Sequence, residues 1–422
     1  MLIAPAGKSE FHFIPPPSPF LNTIDPSIVA VNMQPFAQSS ARFLILGTTL
    51  LSALSASCTQ VPPTASPIEV RAAEPVAPTA YVPGARWDQI NDYARLLAGM
   101  PGGPDSPYRA FRETPAWQDY RWKMNSLWER VEDQRLSKIR EWRQRELGGL
   151  TSHPLVFYPF SGPDVLFADA FFPDARTYVL CGLESPDLMP DFSELNDSEK
   201  EGILTGLHGS LTTALNFSYF ITKDMRVDLK RTRMSGVLPV ISIFLARTGN
   251  RITQVNAIGL DANGGIVQGN SGLRINCVSR RGGRPTTIFY FKEDLSNSLQ
   301  KNNPRLLRFL ASQGSPVTYL KSASYLLHEP SFSIIREAIL ERSVAILQDD
   351  SGLPLSAFDR QRWGLKFYGN YTGVLDIFQK YYQKDLAEIY ATHAGEIRPM
   401  DFGVGYKFNR DESALIFARR QR

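Results

Sequence analysis

Apolar and polar positions change their period along this chain, and the changes mark out its parts. From Pro115 to about Leu147 the residues Trp117, Tyr120, Met124, Trp128, Val131, Leu136, Ile139 and Trp142 recur at steps of three to five, with Arg, Lys, Glu and Gln between them. That spacing predicts a long amphipathic helix whose aromatic stripe packs on the rest of the fold. A shorter helix is expected from Trp87 to Met100, closed by Pro101-Gly102-Gly103-Pro104. From His153 onward short apolar runs alternate with helical stretches. Leu155 to Phe160 reads as a buried strand, and Ser161-Gly162-Pro163-Asp164 as a tight turn into a helix that ends before Pro173. Ser161 is the expected N-cap, with Pro163 in the first helical turn. The run Tyr178 to Glu184 is a second buried strand, completing a strand–helix–strand unit.

Helices are then expected over Glu199–Thr222 and Ser235–Arg247. Ile252 to Leu260 and the segment beyond Asn263-Gly264 form a hairpin, because Asn-Gly suits a tight two-strand turn. Leu273–Ser279 and Thr286–Phe291 flank Arg281-Gly-Gly-Arg-Pro285 and give a second hairpin, so an antiparallel meander joins the sheet or its edge. Further helices are expected from Pro304 to about Ser312, over Phe332–Arg342 and over Val374–Ala391. Strands are expected at Val317–Leu320, Val344–Leu347, Leu365–Tyr368, Gly403–Phe408 and Ala414–Ala418. The pattern predicts an α/β fold: a mixed sheet with a Rossmann-like strand–helix–strand start, an antiparallel meander and an N-terminal helical extension. The α/β domain is placed at residues 150–422 and the helical extension at 86–149.

Composition changes this picture mainly before residue 86. The chain has 422 residues, 43% hydrophobic and 21% charged, an ordinary globular balance with material for a large core. The net charge of +4 comes with no long Lys/Arg block; Lys230–Arg233 and Arg280–Arg284 are short, and nucleic acid is not an expected partner. Residues 43–54 form an apolar run behind Arg42, too short to span a bilayer comfortably and of the length of a signal-peptide core. The residues before Met33 are Pro-rich and aperiodic, which suggests Met33 as the start and 1–32 as an over-extension. The segment Leu54-Ser-Ala-Ser-Cys58 resembles the lipobox of bacterial lipoproteins, with Leu54 four residues before the cysteine instead of three. That resemblance implies lipidation at Cys58, a mature N-terminus there and a lipid-anchored protein of the bacterial envelope or periplasm. Ordinary cleavage after Ala56 is the alternative. Residues 59–85, rich in Val, Pro, Ala and Thr, read as a disordered tether. Cys181 and Cys277 both lie in apolar strand-like runs and are expected as free buried thiols.

Ligands of open α/β sheets bind beyond the carboxyl ends of the strands. The polar residues there are Ser161 and Asp164, Glu184, Asp261, Glu293 and Asp294, Lys321, and Gln348, Asp349 and Asp350. A meander could turn Asp261, Glu293 and Asp294 to the opposite edge. Gly162 and Glu184 have the spacing of a nucleotide- or S-adenosylmethionine-binding turn and its ribose-binding acid. The glycine is alone, however, and Pro163 lacks an amide donor. Ser161 is a candidate nucleophile of a hydrolase, but without the Gly-x-Ser-x-Gly frame; helix capping is its simpler role. Lys321 and His328, seven apart, would share a face if helical. Asp349-Asp350-Ser351-Gly352 could hold Mg²⁺ or Ca²⁺, or be turn chemistry alone; no metal site is assigned. The leading reading is an envelope lipoprotein whose α/β domain binds a small-molecule ligand or an envelope protein partner. The alternative is an exported α/β enzyme, a hydrolase before a nucleotide- or S-adenosylmethionine-dependent transferase. The cofactor, if any, stays unassigned.

Overall fold

The computed structural model describes residues 88–217, 234–279 and 282–421. The apolar run 43–54, Cys58 and the tether 59–85 lie outside the described residues, as do the end of the Glu199–Thr222 helix and Arg280-Arg281. The N-terminal helices are α1 (Gln89–Leu97), α2 (Pro115–Val131) and α3 (Ser137–Glu146). Pro115 opens α2, and the Thr114 hydroxyl caps it by accepting from the Trp117 amide at 3.3 Å. A π-helical turn, Glu132–Leu136, joins α2 to α3 without a break. The sequence pattern explains it. Val131 and Leu136 are both buried and five residues apart. In a regular helix five residues turn about 500°, leaving two side chains about 140° apart. One wider turn puts both on the packed side.

The sheet is built from β1 (Leu155–Tyr158), β2 (Thr177–Gly182), β3 (Asn250–Leu260), β4 (Ile266–Gln268), β5 (Gly272–Ser279), β6 (Pro285–Lys292), β7 (Val317–Leu320), β8 (Ala345–Asp349), β9 (Trp363–Gly369) and β10 (Ala414–Arg420). Its order is β4-β3-β5-β6-β2-β1-β7-β8-β10-β9. Strands β6, β2, β1, β7 and β8 are parallel neighbours. The meander β3–β5 adds antiparallel strands beyond β6, and β10 runs antiparallel between β8 and β9. Counting only the parallel strands in chain order, the arrangement is 3-2-1-4-5, so the order reverses between β1 and β7, where α/β sheets open a crevice.

Helices cover both faces. Beyond α4 (Val165–Phe171) come α5 (Asp197–Phe217), α6 (Leu238–Thr248), α7 (Arg305–Gln313), α8 (Ser333–Arg342) and α9 (Lys384–Thr392). Alternate residues of β1 serve different layers. Val156 and Tyr158 join the core with α4, α6 and the N-terminal helices, whereas Leu155 and Phe157 join α7 and α8. The aromatic stripe packs as expected: Trp117, Tyr120, Met124, Ile139 and Trp142 are buried in that first core, and Trp142 meets Phe171 and Tyr368 edge-on. Cys181 and Cys277 are free and buried in the cores on opposite faces, which explains why they do not pair.

Two expected elements differ. The helix expected over Val374–Ala391 is a 3₁₀ segment, Asp376–Tyr381, followed by α9, with non-helical φ/ψ at Phe378. Phe378 and Tyr381 pack with Tyr325 in a separate aromatic cluster, and the Gln383 side chain accepts from Leu355 N at 2.7 Å and donates to Asp350 O at 3.1 Å. Those contacts hold the chain out of helix between the two segments. Gly403–Phe408 is a turn with one isolated bridge, Val404 to Lys407, because the chain doubles back so tightly that any side chain at 403 would collide with the Phe408 carbonyl. Among the described residues no helix is long and apolar enough to cross a membrane.

Candidate functional site

The carboxyl end of β1 holds the first group. Asp164, not Ser161, is the N-cap of α4: its Oδ1 accepts from the Phe167 amide at 3.2 Å. The cap falls there because Ser161 is used elsewhere. Its hydroxyl accepts from Cys181 N and lies 3.1 Å from Cys181 O, tying the turn to β2. Pro163 accordingly precedes the helix. The other oxygen of Asp164 accepts from the Tyr158 hydroxyl at 3.0 Å and from Lys321 Nζ at 2.5 Å. Lys321 comes from the end of β7 and is 2% exposed, and its ammonium also sits 4.0 Å from the Phe167 ring centre. Burial pushes the Lys321 ammonium below its ordinary range, and Asp164 opposes that shift.

The loops after β1 and β8 are linked through this same point. Ser322 N donates to Asp349 Oδ2 at 3.0 Å, while Asp349 Oδ1 accepts from the Ser351 amide at 3.0 Å and from the Ser351 hydroxyl. Asp350 Oδ2 accepts from Tyr325 at 2.6 Å. The carboxyls of Asp349 and Asp350 thus bond to separate partners, and burial raises both above the usual carboxylate range. The acid pair is turn chemistry. Among the described residues, no group of three or more His, Cys, Asp or Glu side chains is placed to hold a metal ion. Residues 323–328 form a 3₁₀ helix, and Lys321 and His328 point apart; His328 Nε2 lies 2.8 Å from Gly352 O. Burial lowers the His328 pKa to about 4.

A cavity of about 170 Å³ opens over the carboxyl ends of β1, β2, β6 and β7, across the point where strand order reverses. Ser161, Gly162, Asp164, Glu184 and Lys321 line it; His328, Asp349 and Asp350 do not. Glu293 and Asp294 line it as well. The chain reverses twice between β3 and β6, an even number, so β6 runs parallel to β2 and its end joins the main rim. Asp261 instead closes its own hairpin, accepting from Asn263 N and Gly265 N at 2.8 Å each.

The glycine turn does not fit a phosphate. The amides of Ser161 and Gly162 both donate to Cys181 O, at 2.8 and 3.1 Å, and Pro163 has none to offer. The Glu184 side chain lies across the turn: a Cβ on Gly162, whose φ is +53°, would stand 3.1 Å from Glu184 Oε1. Glu184 is held there by the Tyr290 hydroxyl, 2.9 Å from its carbonyl and 3.1 Å from Oε2. A pyrophosphate would meet a carboxylate where it needs donors.

Sequence reasoning passed over two features. Among the described residues the non-glycine residues with positive φ are Phe160 (φ 59°) and Ser322 (φ 62°, ψ −93°), and both line this cavity, one at the end of β1 and one beyond β7. Such conformations cost about 1–3 kcal/mol each and gather at functional sites. Ser322 Oγ and Glu293 Oε1 are also buried without a hydrogen-bond partner. Glu293 Oε2 pairs with Arg305 at 3.1 Å, and Gln300, near the same carboxyl, directs its Nε2 to Asp294 O at 2.9 Å. Burial raises the Glu293 carboxyl above its usual range. The run Leu320-Lys-Ser-Ala-Ser324, a strand end followed at once by small polar residues, is the signal that could have pointed to Ser322. Compared with known proteins, the chain matches no family model and no curated protein.

Proposed function

We propose that this chain is an exported protein, anchored at the bacterial envelope by a lipid on Cys58, whose α/β domain binds a small ligand in the cavity at the reversal of strand order. The address rests on the apolar run 43–54, on Cys58 and on the tether after it. Ligand binding rests on one observation above the others: both strained non-glycine residues of the described chain, Phe160 and Ser322, line one cavity, at the ends of the neighbouring strands β1 and β7. Two tests apply. Mass spectrometry of the mature chain is expected to find an acylated Cys58 as its first residue. A mature N-terminus at Ser57 without acyl mass rejects the anchor. A thermal-shift screen over sugars, peptides, amines and nucleosides is expected to raise the melting temperature of the unaltered chain but not of Leu326→Trp, which fills the cavity. Hits that stabilise both proteins alike reject the site.

An enzyme is the second reading, and Ser322 favours it. The residue stands on a strand–turn–helix with a strained backbone, as an activated nucleophile does. It comes second because, among the described residues, no base lies within hydrogen-bonding distance of Ser322 Oγ. Labelling of Ser322 by a fluorophosphonate, lost in Ser322→Ala, would place this reading first.

A further inference from the structure

The charge and shape of the cavity narrow the class of ligand, taking the binding role just proposed as given. Among the described residues four acids line it, Asp164, Glu184, Glu293 and Asp294, against a single base, Lys321. The charge of the Lys321 ammonium is already answered by Asp164, and the group stands against the Phe167 ring. The turn amides that would receive a phosphate are bonded to Cys181 O. The cavity is therefore hostile to anions along its whole length.

Its two ends differ. β6 and β7 are separated by β2 and β1, so at about 4.8 Å per strand their ends lie about 14 Å apart. At the β6 end stand Glu184, Asp294 and Glu293; the Glu293 side chain is 3% exposed, Gln300 stands beside its carboxyl, and among the described residues no donor meets hydrogen-bond geometry at Oε1. Ala323 and Leu326 follow β7, and Phe332, whose neighbours Pro330 and Ser333 accept from Asn297 beyond β6, stands 6.0 Å from Phe160, ring centre to ring centre. A buried carboxylate oxygen without a donor is costly, and an ammonium group answers it with a charge-assisted hydrogen bond. The apolar end takes an aromatic or branched aliphatic body; an apolar cavity of about 150 Å³ is enough for a benzene ring.

We infer that the cavity binds a cationic amine on an apolar body, with the ammonium at Glu293 Oε1 and the body between Phe160 and Phe332. Phosphorylated and carboxylate ligands are excluded by the same groups.

The probes are 4-phenylbutylamine, 4-phenylbutanol and 4-phenylbutyrate, which keep the body and change only the head. Binding to the full mature chain is measured by ligand-observed NMR and thermal shift up to about 10 mM, the range of weak fragment affinities. The amine is expected to bind, the alcohol about tenfold more weakly, as the loss of one charge-assisted hydrogen bond implies, and the butyrate not at all. Glu293→Gln is expected to bring the amine down to the level of the alcohol. Should that variant fail to fold, the three probes on the unaltered chain still decide, and Leu326→Trp is expected to abolish amine binding through the other end. Equal binding of butyrate and amine, or no binding of the amine, overturns the inference. If the amine fails while another ligand class binds and is blocked by Leu326→Trp, the cavity keeps its binding role and only the ligand class is wrong.

Discussion

The Asp164–Lys321 pair joins the ends of β1 and β7, and each partner depends on the other. Both side chains are 2% exposed, and Asp164 holds the cap of α4 with its second oxygen. Lys321→Met leaves that carboxylate buried without its cation, and a urea titration is expected to show a loss of about 3–5 kcal/mol. Adding Asp164→Asn, which keeps the cap but removes the orphaned charge, is expected to recover about half of it. His328 makes a prediction about pH. In the fold its pKa is lowered from 6.5 to about 4, chiefly by burial, with Arg336 adding to the shift and the Gly352 carbonyl opposing it. The folded state therefore binds the proton less readily than the unfolded chain. The stabilisation is whole above about pH 6.5 and is lost as pH falls toward 4, by about 3 kcal/mol in all. His328→Gln is expected to flatten that slope in unfolding free energies measured from pH 7 to 4. An unchanged slope would assign the acid sensitivity to other groups.

At the scale of elements, the π turn between α2 and α3 sets which side of α3 meets the sheet. Beyond it Ile139 and Trp142 are buried in the main core. Arg135, within the turn, donates to the carbonyls of Leu215 and Asn216 in α5 at 2.8 and 2.6 Å. Inserting one alanine after Ser137, beyond the wide turn, rotates the rest of α3 by about 100°. Trp142 and Ile139 then leave the core, and the loss is expected to be on the order of 4 kcal/mol or more, the cost of emptying a large buried site. Substituting Gln134 by Ala, with the length kept, is expected to cost under about 0.5 kcal/mol, as surface changes do. Thermal melts of the two variants side by side separate register from side-chain chemistry.

For the molecule as a whole, the N-terminal helices and the sheet share one core. Trp117, Met124, Leu136 and Trp142 belong to the same buried cluster as Val156, Tyr158 and Tyr319 from the central strands. A chain shortened to begin at Leu150 uncovers that face of the sheet. It is expected to be insoluble or to lose its near-ultraviolet circular dichroism, because an apolar face of that size is an aggregation surface. A shortened chain that is soluble, with a melting temperature equal to that of the parent, would make the helices a separate domain. The same organisation places the cavity. It lies at the carboxyl edge, where α4 begins and the strand order reverses, so it can carry strained and under-bonded groups without opening the core beneath.

The sequence by itself determined most elements and the class of the fold. Period-two and period-3.6 patterns depend on neighbours a few residues away, and so β7 at Val317–Leu320, the hairpin after Leu260 and the aromatic stripe of α2 and α3 could be read directly. Asp164, Lys321, Ser161, Gly162 and Glu184 were also legible as groups at strand ends, since a polar residue after an apolar run marks the rim. Tertiary structure alone decided which of them meet. The pairing of Asp164 with Lys321 spans 157 residues and follows from β1 lying beside β7, an order no local pattern encodes. The direction of β6 depended on the meander's total of reversals, so the place of Glu293 could not be fixed from its own neighbourhood. The separation of Lys321 from His328 had the same origin: a 3₁₀ turn and the Gly352 carbonyl sent the histidine elsewhere. Strain at Phe160 and Ser322 was invisible for the plainest reason: φ at a strand end is imposed by packing on both sides of the crevice, while local preference would have kept both residues out of that region.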